Sequence, residues 1–295
     1  MRYGDPMGRS LDLGTMRWEG DRPRLLGVVN VTPDSFSDGG RYVSHEAAIA
    51  HGLALLREGA DALDVGGEST RPGAESVPAA VQIERVVPVI AALVRAGAVV
   101  SVDTTRAAVA VAAFDAGARI LNDVGMGDGL EQLAPSVIDA RAVYLRMHSR
   151  GTPKTMRELA RYDDVVTEVI RDLLRDAERL QALGVPSTRI WLDPGVGFAK
   201  TAGQSLELLR HIARFCALGY PTCVGPSRKS FIDAHEAYGP SWKASIADPS
   251  QRVGGTAAAV SWCVAAGADV LRVHDVATMA QAARVAHELA RGKVR

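Results

Sequence analysis

Along the 295-residue chain one pattern recurs. A short run of apolar, often β-branched residues leads into a turn rich in Gly, Asp and Ser, and then into a longer Ala-, Leu- and Arg-rich stretch of helical period. The apolar runs predict eight strands, at 25–31, 62–65, 99–102, 119–121, 142–145, 190–192, 221–224 and 270–273. The longer stretches predict helices at 45–58, 78–96, 106–116, 130–138, 163–183, 204–218, 251–266 and 278–291. Gly59, Gly97, Gly117, Gly184, Gly219 and Gly267 each stand just past a helical run, where a left-handed C-terminal turn is easiest without a Cβ. Eight β-α units with no break in composition predict an α/β fold, a single (β/α)8 TIM barrel over residues 25–295; an open doubly wound sheet is the alternative. The polar, irregular residues 1–24 are expected to form a short N-terminal extension that caps the bottom of the barrel or folds as a small hairpin.

Composition narrows the class of partner. Thirty-four basic residues balance 34 acidic ones, so no global field draws the chain onto nucleic acid or an anionic membrane, and any anion site is local. No apolar run approaches the roughly 20 residues of a membrane span and the first 20 residues lack a signal-peptide core, so a soluble cytoplasmic protein is expected. Cys216, Cys223 and Cys263 are spaced neither as a zinc site nor as a redox pair, and read as small buried hydrophobes.

In a barrel, function sits on the loops leaving the C-terminal ends of the strands. Those ends carry, in order, Asn30; Glu68, Thr70 and Arg71; Asp103; Asn122 and Asp123; Met147 and His148; Asp193; Arg228 and Lys229; and Arg272 with His274. Taken singly, such residues are often turn formers or helix caps; in unbroken succession they point to a ligand. Arg71, Arg228, Lys229, Arg272 and His274 suit a di- or triphosphate, because forked guanidinium groups satisfy several phosphate oxygens at once, although Arg228 also reads as half of a structural ion pair with a nearby Asp. Asp103, Asn122 and Asp193 complement a flat heterocycle with adjacent N–H donors; alternatively, the two Asp residues bind a metal. Asn30, beside the cations, is a candidate ligand for a Mg²⁺ held mainly by substrate phosphates. Gly195-Val196-Gly197 lacks the rest of a dinucleotide fingerprint and reads as a tight turn.

The loop sequences Asn30-Val-Thr-Pro-Asp-Ser-Phe-Ser-Asp-Gly-Gly40 and Asp64-Val-Gly-Gly-Glu-Ser-Thr-Arg-Pro-Gly73 resemble those of the dihydropteroate synthase family. The resemblance continues through Ser101-Val-Asp-Thr104, Ile120-Leu-Asn-Asp123, Met147-His148, Leu192-Asp-Pro-Gly195, Gly197-Phe-Ala-Lys200, Ser227-Arg-Lys-Ser230 and Arg272-Val-His-Asp275. It implies a homodimeric barrel that joins para-aminobenzoate to 6-hydroxymethyl-7,8-dihydropterin diphosphate, releasing pyrophosphate by an SN1-like path assisted by Mg²⁺. Carried over by position, it implies that Asp103, Asn122, Asp193 and Lys229 hold the pterin between Met147 and Phe198. Asn30 would ligate Mg²⁺, Arg71, Arg272 and His274 would clamp the diphosphate, and Phe36, Asp38, Thr70, Pro72, Lys229 and Ser230 would shape the aminobenzoate pocket. Asp103, Lys229, Asp38, Arg272 and His274 are the residues expected to carry catalysis. Pro226 and the long polar segment 232–250 depart from the family pattern without removing a catalytic group. Three competing readings are a pterin-barrel methyltransferase serving a corrinoid protein, a non-catalytic paralogue, and a Schiff-base aldolase using Lys229.

Overall fold

Eight parallel strands, each followed by a helical segment, wind into a cylinder in this computed structural model, which describes residues 10–32, 41–69, 73–125, 129–234 and 248–291. A two-stranded antiparallel hairpin comes first, β1 (Leu11–Asp12) and β2 (Arg17–Trp18). The barrel strands are β3 (Arg24–Asn30), β4 (Ala62–Gly66), β5 (Val100–Asp103), β6 (Ile120–Asp123), β7 (Val143–Met147), β8 (Ile190–Asp193), β9 (Cys223–Val224) and β10 (Val270–Val273). They pair in the order β8-β7-β6-β5-β4-β3-β10-β9. A parallel bridge between Leu192 and Thr222 closes the ring from β8 to β9, which decides for the barrel over the open sheet.

The described helices are α1 (Arg41–Glu58), α2 (Ala79–Arg95), α3 (Ala107–Asp115), α4 (Leu130–Asp139), α5 (Val165–Ala182), α6 (Ala202–Arg210), α7 (Ile212–Cys216), α8 (Val253–Ala265) and α9 (Val276–Arg291). The stretch expected as one helix at 204–218 is two, because His211 leaves helical geometry at φ −103° and ψ 18°. All six glycines at the helix ends take positive φ, from 88° to 108°. Local chemistry starts the helices: the Asp164 carboxylate caps α5 by accepting from the Val166 and Thr167 N–H groups, and Thr201 and Gln204 form a reciprocal capping box on α6.

Two apolar layers hold the barrel. Outward-facing strand residues such as Val65, Val102, Leu121 and Tyr144 pack under the helices. Inside, Leu26, Ala62, Ile120, Val143, Trp191, Cys223 and Val270 form a second cluster with Leu11, Leu13 and Trp18 of the hairpin; the Trp18 and Trp191 ring centroids are 6.0 Å apart. The hairpin therefore packs against the interior at the N-terminal ends of the strands. On the outer side of the strands a buried charged network forms: Arg146 of β7 donates to Asp123 and Asp176, each at 2.9 Å, and to the Gly125 carbonyl at 2.8 Å, while the Tyr144 hydroxyl donates to Asp123. This network accounts for Asp123 without a ligand. Of the cysteines, Cys223 and Cys263 are buried as expected, but Cys216, near the end of the short α7, is only half-buried, and all three are free thiols.

Candidate active site

Side chains alternate across a strand, so every second residue of a barrel strand faces the interior. Two positions beyond the apolar interior layer the same faces turn polar: Asp64 follows Ala62, Asn122 follows Ile120, Asp193 follows Trp191 and Arg272 follows Val270. Register aligns the groups at the rim, with Asn30 opposite Gly66, Gly66 opposite Asp103, Asp103 opposite Asn122, and Met147 opposite Asp193. Asp103, Asn122, Met147, Asp193, Phe198, Lys229 and Arg272 thereby line one cleft at the C-terminal mouth, so the expected ring-binding set meets in space.

Arg272 organises the floor of that cleft. Its Nε donates to Asp64 at 2.6 Å and one terminal nitrogen donates to Asp103 at 2.9 Å, while the Asn122 amide donates to Asp64 at 2.9 Å. The guanidinium expected among the phosphate groups thus lies against the carboxylates of Asp64 and Asp103, and among the described residues its other terminal nitrogen has no acceptor. Asp64, fully buried, joins Arg272 and Asn122 in this floor although it stands outside the candidate residues read from the sequence. Its signal was a charged side chain on the inward face of an otherwise apolar strand. Burial, and secondarily the charge of Asp64, raises the pKa of Asp103 against the pull of Arg272. Burial also raises Asp193 to about 6, although its Oδ1 accepts the Gly195 N–H at 2.7 Å. Lys229 is pushed down to about 7 by burial and by Arg272, and its ammonium lies 3.8 Å from the Phe198 ring centre.

Phe198 is held by an elaborate turn. At Gly195, φ is +67° and a Cβ would stand 1.9 Å from the His148 carbonyl oxygen, so only glycine allows the loops after β7 and β8 to touch. Ala199 adopts a left-handed φ of 48°, and its carbonyl accepts the Tyr162 hydroxyl at 3.0 Å. Half-buried Lys200 donates to the Phe198 carbonyl at 2.8 Å and lies 3.1 Å from His148 Nδ1. Burial lowers Lys200 to about 7, and burial together with the Lys200 charge lowers His148 to about 4. His148 therefore serves the turn.

On the opposite side of the mouth, Arg228 at φ 58° pairs with Asp275, its Nε at 2.9 Å. Of the two readings open for Arg228, the ion pair is the one observed. It ties the loops after β9 and β10 together, placing Lys229 beside Arg272 and His274 near Ser227. Burial, followed by the charges of Arg272, Arg228 and Lys229, pushes His274 down to about 3. Ser230 is exposed at the start of the short helix Ser230–Asp233. Glu68 accepts from the Val77 N–H and the Gln82 amide, a role internal to its loop. Phe36, Asp38, Thr70, Arg71 and Pro72 lie outside the described residues, as do most of the polar segment 232–250 and parts of both long loops.

Asn30 ends β3 half-buried and offers a neutral oxygen, a donor that suits a hard cation. Among the described residues no group of three or more His, Cys, Asp or Glu could hold a metal. The neutral oxygen of Asn30 is the donor type that fits a Mg²⁺ bound largely through substrate phosphates.

Comparison with known proteins agrees with this geometry. Residues 26–274 match the family described as pterin binding enzyme. The chain is 41% identical to a dihydropteroate synthase of Synechocystis over 96% of its own length and 94% of the relative's, and 42% identical to that of Mycobacterium leprae over 89% and 92%. It superposes on Xanthomonas albilineans dihydropteroate synthase with 4-aminobenzoic acid at a TM-score of 0.84 and 41% identity, covering 97% of this chain and 99% of that one. The complex of the same organism's enzyme with 7,8-dihydropteroate gives a TM-score of 0.81 at 40% identity, covering 97% and 100%. On the strength of both its rim chemistry and these likenesses, the chain belongs to the dihydropteroate synthases within the pterin-binding enzyme family.

Proposed function

We propose that the chain condenses 6-hydroxymethyl-7,8-dihydropterin diphosphate with para-aminobenzoate by an SN1-like loss of pyrophosphate. The convergence of Asp103, Asn122, Asp193, Lys229 and Arg272 on one cleft, with His274 beside it, supports this reading. Asp193, Asn122 and Asp103 bind the ring edge, and Met147 and Phe198 form the walls of the slot. Arg272, through the terminal nitrogen that has no acceptor among the described residues, and His274 bind the diphosphate together with Arg71. Asn30 would hold a Mg²⁺ bound mainly through the substrate phosphates, and the ion would supply charge neutralisation to the leaving group. The C–O bond at the pterin methylene breaks with its electron pair passing to pyrophosphate, and Asp103 stabilises the cation that remains. The aniline nitrogen of the second substrate, in a pocket of Phe36, Asp38, Thr70, Pro72, Lys229 and Ser230, then forms the C–N bond and releases one proton.

The test is pyrophosphate release. With both substrates and Mg²⁺, pyrophosphate and dihydropteroate are expected to appear in equal amounts. With pterin diphosphate and Mg²⁺ alone, slow release with water capture of the methylene is expected. A strict requirement of C–O cleavage for aminobenzoate would overturn the SN1-like order, and absence of release under all conditions would overturn the reaction.

The reading extends to a cytoplasmic homodimer in which residues 1–24 cap the barrel. No helix among the described residues is long and apolar enough to cross a membrane. Helix α8, VGGTAAAVSWCVA, contains no charged residue. Trp262 on it is 54% exposed, and Val285 and Leu289 on the adjoining α9 are 57% and 75% exposed. Such an apolar face favours a second copy as its cover. Trp262→Arg is expected to halve the mass found by sedimentation at micromolar concentration; an unchanged mass would exclude this face as the interface.

A further inference from the structure

Strands β9 and β10 pair in parallel with Val224 opposite Leu271, so the loops leaving them run side by side and bring Ser227 against His274. Ser227 is buried. Its Oγ accepts the backbone N–H of His274 at 3.2 Å and lies 3.0 Å from the ring Nδ1. A hydroxyl has one hydrogen to donate and two lone pairs to accept with. One lone pair is taken by the backbone N–H, which leaves two arrangements. If Nδ1 carried the ring hydrogen, it would donate to Oγ, and the hydroxyl hydrogen would have no acceptor among the described residues. If Nδ1 is bare, it accepts the hydroxyl hydrogen and every group is satisfied. Buried donors are rarely left unmatched, so the second arrangement prevails and the ring hydrogen sits on Nε2.

We infer that Ser227 is a positioning residue that fixes the neutral His274 ring in its Nε2–H form, so that it presents a ready-made N–H donor to the oxygens of a diphosphate. The inference rests on the reading of His274 as a diphosphate ligand. Its physical need follows from the surroundings of the ring. Burial and the charges of Arg272, Arg228 and Lys229 favour the uncharged imidazole, with Asp275 as the opposing group. A neutral imidazole attracts phosphate oxygens only through its N–H; turned to the other tautomer, it would offer them a lone pair. A donor set in advance needs no reorganisation when charge develops on the leaving group.

The test uses the whole chain labelled with ¹⁵N-histidine. In the wild type, NMR is expected to show His274 with a protonated Nε2 and a bare Nδ1 from pH 6 to 8, a measurement that needs no variant to fold. A protonated Nδ1 would overturn the inference. Ser227→Ala is expected to mix the tautomers and to weaken inorganic pyrophosphate binding about five- to tenfold, the size of one net hydrogen bond, while leaving the affinity for 6-hydroxymethylpterin unchanged; Ser227→Thr, which keeps the hydroxyl, should restore both signals. Equal loss of pyrophosphate and pterin binding in Ser227→Ala would mean a merely structural role. His274→Ala separates the underlying reading from the inference: pyrophosphate binding as tight as wild type would remove the diphosphate role, whereas the NMR signal reports the tautomer independently.

Discussion

Asp193→Asn is expected to reduce pterin affinity between about 30- and 3000-fold while leaving the barrel folded. Asp193 closes β8 nearly buried, and its Oδ1 accepts the Gly195 N–H at 2.7 Å. An asparagine oxygen can keep that bond, so the loop retains its shape. The other oxygen becomes an NH2, which places a donor against the N–H groups of the pterin edge. Truncating one side of a buried charged hydrogen-bonding pair costs roughly 2–5 kcal/mol, and about 1.4 kcal/mol corresponds to tenfold in affinity. The pH profile supplies a second signature. Burial holds this carboxyl at about 6, above the unfolded range, so its ionised form is the acceptor above pH 6 and affinity falls as pH drops through that value; the asparagine variant should lack that step. The linkage to folding has the opposite sense, since a carboxyl with a raised pKa loses stability as pH rises from the unfolded value through the folded one. At pH 7 the wild-type carboxylate costs roughly 3 kcal/mol by this route, and the variant is expected to unfold at the same temperature or higher. Calorimetric titration with 6-hydroxymethylpterin at pH 5 and 8, beside thermal unfolding, checks both. Unchanged pterin affinity would remove Asp193 from the site.

What the sequence made legible divides along a physical line. Strand ends such as Asp103, Asn122 and Asp193 stood out because each interrupts an apolar run at the point where barrel loops begin, and parallel register then carried them to one level. The six glycines at helix ends were legible because a missing Cβ is needed at positive φ. The partnership of Arg272 was not legible: Asp64, which accepts its Nε–H, lies 208 residues away, and only closure of the ring between β3 and β10 brings the two strands near one another. Likewise, Glu68 looked like a strand-end ligand because nothing local reveals that Gln82 folds back upon it. Lys200 and His148 were visible as motif letters, but their service to Phe198 depends on two loops meeting at Gly195. Residue type and period encode which face a side chain takes; the choice among charged partners on that face is made by three-dimensional closure.

That choice gives Arg272 the largest expected effect on stability. Arg272→Met removes the one described guanidinium bonded to both Asp64, fully buried, and Asp103, nearly so. Breaking a buried pair by deleting one partner typically costs roughly 3–5 kcal/mol, a large share of the ~5–15 kcal/mol that holds a domain together. For a chain of this size about 2–4 °C is lost per kcal/mol, so a fall in Tm of roughly 6–20 °C is expected. The deficit should depend on pH with a definite sign. Arg272 pulls the Asp103 pKa downward; without it that pKa rises further above the unfolded value, so stability is lost as pH increases and returns as acid protonates Asp103. The variant should therefore approach wild type near pH 5 and differ most near pH 8. Adding Asp64→Asn removes one of the two facing charges, and the double variant should be more stable than Arg272→Met alone, a coupling that thermal unfolding of all four members of the cycle would measure. On the proposed reading the same guanidinium orders the pterin-facing carboxylates Asp64 and Asp103 and binds the diphosphate, so both pterin and pyrophosphate affinity should fall in Arg272→Met. A Tm equal to wild type at every pH would show that Asp64 and Asp103 do not require the cation, and with it the electrostatic account of the cleft floor would fail.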